Sequence, residues 1–204
     1  MLYSFRIGKR IIIYVSLLFN MGELMAKSQK QEKKMSIYLK FDDSKLNGNV
    51  SAQGLQDFIE IESIDFSAVR KMNTHPGNTS DREGTKPAIS EIVVTKRADK
   101  TTPILFQEAT TGTALASAEI KFVNTGKDLS EYLTVTLSNV IISRYQLTDK
   151  VLVTEGESAQ KDKPIETIAL NFDKVEVKYT PYDESHNAQS PVSAGYDLKT
   201  AQAA

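Results

Sequence analysis

Ile59-Glu60-Ile61-Glu62-Ser63-Ile64-Asp65-Phe66-Ser67-Ala68 sets the reading of this chain. On an extended backbone Ile59 and Ile61 share one face and Glu60 and Glu62 the other, the two-residue period of a half-buried strand. After Glu62 the parity flips, and Ile64, Phe66 and Ala68 become the apolar set. A slip of one residue turns every later side chain to the opposite face, so the sequence predicts a bulge or kink near Glu62-Ser63.

The same period runs outward in both directions. Ile37, Leu39 and Phe41 alternate with Tyr38 and Lys40. Ile89 to Arg97, Leu115 to Val123, Tyr132 to Ser138, Val140 to Leu147 and Ile165 to Tyr179 continue it, with Val175, Val177 and Tyr179 facing in. This predicts a mainly β protein, two packed antiparallel sheets forming a β-barrel or sandwich. One short flanking helix is expected at about 102–111. Thr102 caps its free amides, Pro103 suits the first helical position, and Gly112 closes it with positive φ. Two turns of helix are unstable alone, so it must pack on the sheet through Leu105, Phe106 and Ala109. Asp42-Asp43 begin a turn with Lys45-Leu46-Asn47-Gly48. Lys71 to Pro87, with hardly an apolar anchor, reads as a long loop, and Asp149 to Pro164 as a second polar connection.

The chain has 204 residues, enough for one domain with a sizeable core. Its net charge of −1 hides an asymmetry: residues 1–34 carry +5, and the rest −6 from 18 basic and 24 acidic side chains. A mildly acidic body lacks the clustered positive charge that binds phosphate backbones, which argues against a nucleic-acid partner. With no cysteine, disulfides, zinc thiolates and thiol nucleophiles are excluded.

In the first 34 residues an apolar run, Ile11 to Phe19, follows Arg6, Lys9 and Arg10. Basic residues before an apolar run match a secretory signal, while a membrane span needs about 20 apolar residues. Leu24-Met25-Ala26 places a small residue at only one of the two expected cleavage positions. The alternative is an extension ahead of the folded body, with Met1, Met21, Met25 and Met35 all possible translation starts. Lys27 to Lys34 reads as solvated and disordered. The expected organisation is therefore an N-terminal extension, 1–34, and one β domain, 35–204.

No catalytic constellation emerges. His75 and His186 are the only histidines, both in polar connections without orienting neighbours. Glu60 and Glu62 share a face, as acid/base pairs do, but a solvated strand face explains them as well. Asp81 and Glu83 near His75 form only a weak metal-ligand pattern. Nucleophile-elbow, phosphate-loop and dinucleotide fingerprints are absent from the sequence. The expectation is a non-enzyme needing no cofactor or metal.

Several short segments then occur in a recognisable order. Met35-Ser36-Ile37-Tyr38-Leu39-Lys40-Phe41 opens the series and Thr102-Pro103-Ile104-Leu105 follows. Glu131-Tyr132-Leu133 leads into Thr136-Leu137-Ser138-Asn139-Val140-Ile141-Ile142-Ser143. Glu166 to Phe172, Val175 to Tyr179 and Gly195-Tyr196-Asp197-Leu198 complete it. Over about residues 35–204 the chain resembles the Hcp family of type VI secretion systems, departing from it in a Tyr where the family's closing Gly-Trp element has Trp. The resemblance implies six-membered rings stacked into a hollow tube, ejected by sheath contraction and able to carry small effectors in its lumen. Implied partners are copies of the chain, a spike protein of the VgrG type, the contractile sheath and effector cargo, with assembly in the bacterial cytoplasm and secretion afterwards. It makes His75, Asn78, Arg82 and Glu83 of the long loop candidates for contacts between subunits or rings, and Asp65 a candidate lumen residue. The competing reading is an exported monomeric β-sandwich that binds through its loops and uses the N-terminal segment as a signal peptide.

Overall fold

The structure is a computed structural model that describes residues 35–71, 86–125, 129–149, 163–185 and 187–204. In chain order the elements are β1 (Met35–Phe41), a 3₁₀ turn (Ser44–Leu46), β2 (Ile59–Ile61), β3 (Ser63–Asp65), β4 (Ala68–Val69), β5 (Ala88–Ile89) and β6 (Ile92–Arg97). Then follow α1 (Thr102–Thr111), β7 (Leu115–Thr125), β8 (Leu129–Thr148), β9 (Ile165–Asn171), β10 (Lys174–Tyr179), β11 (Val192–Asp197) and β12 (Gln202–Ala203).

Two antiparallel sheets face each other. The first has the order β12-β11-β10-β8-β7-β1-β2 and the second β3-β6-β9-β8. The expected sandwich is present, but a closed barrel is not. The first sheet runs past β8 to the short edge strand β12, and pairing is handed from β2 to β3 across a break at Glu62. This break is the kink read from the parity flip. Ile59 and Ile61 are buried in the first sheet, while Ile64 and Phe66 pack on the core from beyond the bend. Ala68, expected inward with them, is exposed because β4 pairs only with the two-residue β5.

The second corner lies in β8. Tyr132 to Ser138 and Val140 to Leu147, expected as separate segments, form one strand of 20 residues. Its first part pairs with β7 and β10, and its last part with β9. The transfer occurs at Asn139, whose φ of 52° is tolerated because a short polar side chain can bond locally. Asn139 donates to the Asp173 carboxylate. Parity changes here too: Val135 and Leu137 are buried before the bend, Val140 and Ile142 after it.

Cross-strand rows build the core. Leu39, Ile120, Val135, Val177 and Ala194 align across β1, β7, β8, β10 and β11. The first three are buried, Val177 is half-buried and Ala194 is exposed. Each fully buried branched side chain contributes about 1.5–3 kcal/mol, so stability is concentrated where the two sheets overlap.

Helix α1 closes one end of the sandwich. Gly112 ends it at φ 65°, as expected, donating to the Glu108 carbonyl. The cap is Thr101, not Thr102, and Pro103 falls within the first turn. Leu105 is fully buried and Ile104 and Ala109 pack on the core, but Phe106 points outward, edge-on to Tyr145. The turn after β1 forms as predicted: the Asp43 carboxylate accepts from Lys45 N at 2.9 Å. The chain then folds back over the outer face of the first sheet, burying Leu55 and Phe58 against Tyr38 and Val123. Gly48 is required there, since a Cβ would lie 2.0 Å from the Phe58 carbonyl oxygen.

Candidate assembly surfaces

The larger sheet leaves an apolar corner uncovered. One row across it reads Ile37, Phe122, Leu133, Tyr179, Val192. Exposure rises along that row, from buried Ile37 to 51% at Tyr179 and 69% at Val192. The sequence had predicted Tyr179 inward. It does lie on the inner face, but the second sheet ends at β8 and Tyr179 is left half exposed. The segment after β10 is ordered beside this corner. Thr180 N donates to the Tyr132 carbonyl, Tyr182 Oη donates to the Glu131 carbonyl at 2.9 Å, and Asp183 Oδ1 accepts from Ser185 N and Asn187 N.

A second apolar surface lies at the far end of β8. Leu147 is 53% exposed and Phe106 55%; Phe106 packs edge-on against Tyr145, two residues before Leu147 in β8. Under it sits a buried charge cluster. Lys96 and Glu166 are fully buried, with Lys96 Nζ 2.6 Å from Glu166 Oε2 and 3.0 Å from Asp99 Oδ1. Tyr145 Oη donates to Glu166 Oε1 at 2.8 Å, and Asp99 Oδ1 accepts from Thr101 N and Oγ1. Asp99 thereby ties the start of α1 to β6 and β9. Burial works against its charge, but the hydrogen bonds from Thr101 and Lys96 outweigh it and hold the carboxyl below its ordinary value. Burial, and then the bond to Glu166, pushes the Tyr145 phenol well above its own. Sequence reasoning missed this cluster, although the alternation carried a signal. Lys96 falls on the face of Ile92 and Val94, and Glu166 on that of Ile168 and Leu170, so two opposite charges point inward from neighbouring strands.

The outer face of the second sheet is polar. Asp65 aligns with Val93, Ala169 and Arg144, and Ser63 with Thr95, Thr167 and Gln146. Ser63 and Thr95 share a 2.6 Å hydroxyl contact. Asp65 is exposed on this face, as expected of its strand position. His75, Asn78, Arg82 and Glu83 lie outside the described residues, as do Asp81 and His186. Among the described residues no group of His, Asp or Glu side chains is gathered for a metal, and no helix is long and apolar enough to cross a membrane.

The family model described as type VI secretion system effector, Hcp, matches residues 38–179. The chain belongs to the Hcp family. Hcp proteins form the tube of the type VI system, a structural role and not an enzymatic one, and the match runs from β1 to the end of β10. The protein hcp1 of Pseudomonas aeruginosa is 28% identical over 116 residues, 56% of this chain and 67% of that one. In fold, the chain is similar to a type six secretion system protein with a TM-score of 0.73 at 23% identity, covering 84% of this chain and 100% of the other. It is also similar to Hcp1 from Salmonella typhimurium, with a TM-score of 0.63 at 20% identity, covering 83% and 99%. The two corner residues, Glu62 and Asn139, both fall inside the span that defines the Hcp match.

Proposed function

We propose that this Hcp protein is the repeating subunit of a type VI inner tube, built as six-membered rings that stack coaxially. The observation that carries this is the division of its surface. One sheet face holds Asp65 among mostly polar neighbours, while Tyr179 and Val192 near the start of β8 and Phe106 and Leu147 near its end are exposed apolar side chains. A subunit with unlike apolar edges closes into a ring when the rotation between copies allows it, and the polar face is then suited to a water-filled lumen.

In this reading the ring wall presents Asp65, Ser63, Thr95 and Gln146 to small effector cargo. The assembling body is residues 35–204, with 1–34 an extension outside it. The loop bearing His75, Asn78, Arg82 and Glu83 contacts the neighbouring subunit or ring. Rings form in the bacterial cytoplasm inside a contractile sheath, which drives them out behind a spike protein of the VgrG type. The test is sheath-dependent release. The protein should appear in the medium of cells with a working sheath and vanish from it when the sheath gene is removed. Release that persists without the sheath, with a processed amino terminus, would replace this account by the exported binding module.

A further inference from the structure

Asn47-Gly48 is the only asparagine–glycine pair in the chain, and it carries chemistry that its place in a turn does not use. In an unfolded chain the main-chain nitrogen that follows an asparagine attacks the side-chain amide carbon. A carbon–nitrogen bond forms to close a five-membered imide, the bond to the side-chain nitrogen breaks, and ammonia leaves with the proton of the attacking amide. Glycine leaves that nitrogen unhindered, because it has no Cβ. Water then opens the imide at one carbonyl to give aspartate, or at the other to give isoaspartate. Water is the only other reactant.

The folded loop opposes each step of ring closure. Asn47 follows the 3₁₀ turn with φ −62° and ψ 122°. Closure needs the Gly48 nitrogen eclipsed with Asn47 Cβ, and at this ψ it is turned well away. Gly48 is buried and its N–H donates to the Asp57 carbonyl at 2.7 Å, which fixes both the proton and the direction of the nitrogen. Turning ψ toward closure would swing that N–H off its acceptor. The next bond of the same loop, Val50 N to the Phe58 carbonyl at 3.2 Å, holds the segment against such a swing. On the other side Leu46, 1% exposed, anchors the turn in the core. Asn47 is therefore held between two fixed neighbours.

We propose that Asn47-Gly48 is a self-modification site gated by folding, closed in the native loop and open whenever residues 47–58 come away from the sheet. Its product blocks the return. Isoaspartate routes the main chain through one further carbon, a lengthening of about 1.5 Å. Gly48 has no room to absorb it, since even a Cβ there would lie 2.0 Å from the Phe58 carbonyl oxygen. A chain converted to isoaspartate cannot close the loop that buries Leu55 and Phe58 against Tyr38 and Val123. The site thus marks chains that have been unfolded and keeps them out of the folded pool. It acts within one chain and is independent of the ring reading.

The test holds the full-length protein for days in mildly alkaline buffer, native in one sample and unfolded by guanidinium chloride in another. Mass spectrometry of the tryptic peptide Leu46–Arg70 then reads amide-to-acid conversion at position 47 and separates isoaspartate from aspartate. Conversion should be at least about tenfold slower in the native sample, because it is confined to chains open at this loop. Equal rates in the two samples would overturn the gating. After removal of denaturant, isoaspartate chains should be missing from the native fraction. Their recovery with the parent's urea midpoint would overturn the block. Two variants fix the cause. Asn47→Gln, which would have to close a six-membered ring, should refold after the same incubation as well as fresh protein. Asn47→Asp supplies the acid without the extra carbon and should keep the parent's midpoint. A loss in either variant equal to that of the converted parent would overturn the backbone argument.

Discussion

Replacing Lys96 by methionine should be among the most damaging single changes in the body of the protein. The Lys96 side chain is fully buried between two carboxylates, 2.6 Å from Glu166 and 3.0 Å from Asp99. The variant would leave Glu166, also fully buried, with only the Tyr145 hydroxyl, and Asp99 with only its Thr101 contacts. Breaking a buried ion pair by removing one partner costs about 3–5 kcal/mol, because the remaining charge stays desolvated. For a domain of this size about 1 kcal/mol moves the melting temperature by ~2–4 °C, so a fall of roughly 6–20 °C is expected. The double variant Lys96→Met/Glu166→Leu removes the orphaned charge along with its partner and should recover most of the loss. Urea unfolding followed by circular dichroism at pH 7 measures these two variants, and Glu166→Leu alone, against the parent. It must be repeated at several protein concentrations, since assembly itself adds stability by mass action. A single variant within about 1 kcal/mol of the parent would refute the reasoning, as would strict additivity of the two changes.

Gly48→Ala should destabilise by about 1–3 kcal/mol, because its methyl group would meet the backbone of Phe58 at 2.0 Å, and urea midpoints would show it. At Asn139, alanine should cost ~1–2 kcal/mol through the left-handed backbone and the lost bond to Asp173, and glycine clearly less; comparing the two variants separates the backbone contribution. Glu108 is buried on α1 with Oε2 unpartnered among the described residues, so Glu108→Leu should match or exceed the parent in melting temperature. Stability should be flat between about pH 5 and 9 and fall on either side. The lowered Asp99 value gives stabilisation that is complete above its unfolded value near pH 4 and is lost as pH drops through the folded one. The raised Tyr145 value gives stabilisation that is complete below about pH 10 and fades above it. Asp99→Asn should blunt the acid limb of a midpoint-against-pH curve and leave the alkaline limb alone.

The kink at Glu62-Ser63 was legible because isoleucine and glutamate mark the two faces plainly on either side of it. The corresponding bend at Asn139 was not, although the apolar parity shifts there just as surely, from Val135 and Leu137 to Val140 and Ile142. A continuous apolar run through Ile141 hides the alternation, and a local pattern cannot tell a turn between two strands from a bend within one. The helix was legible from Pro103 and Gly112, which constrain the backbone directly. Phe106 was placed inward because large aromatics usually are, whereas Leu105 and Ala109 already fill the side that meets the sheet. Tyr179 and Val192 satisfy the inward alternation, and only the unequal size of the two sheets leaves them exposed. Sheet order is a non-local property that no strand declares on its own, so the apolar corner could not be read from residue spacing. Asp65 could be assigned to a polar face from its own strand, but what that face surrounds is decided by other copies of the chain.

The most direct check of the tube account is the mass and shape of the purified full-length protein, by sedimentation and negative-stain microscopy of one sample. Six chain masses in a ring with an open centre is the predicted result. A single sharp monomer at every concentration tested would contradict it.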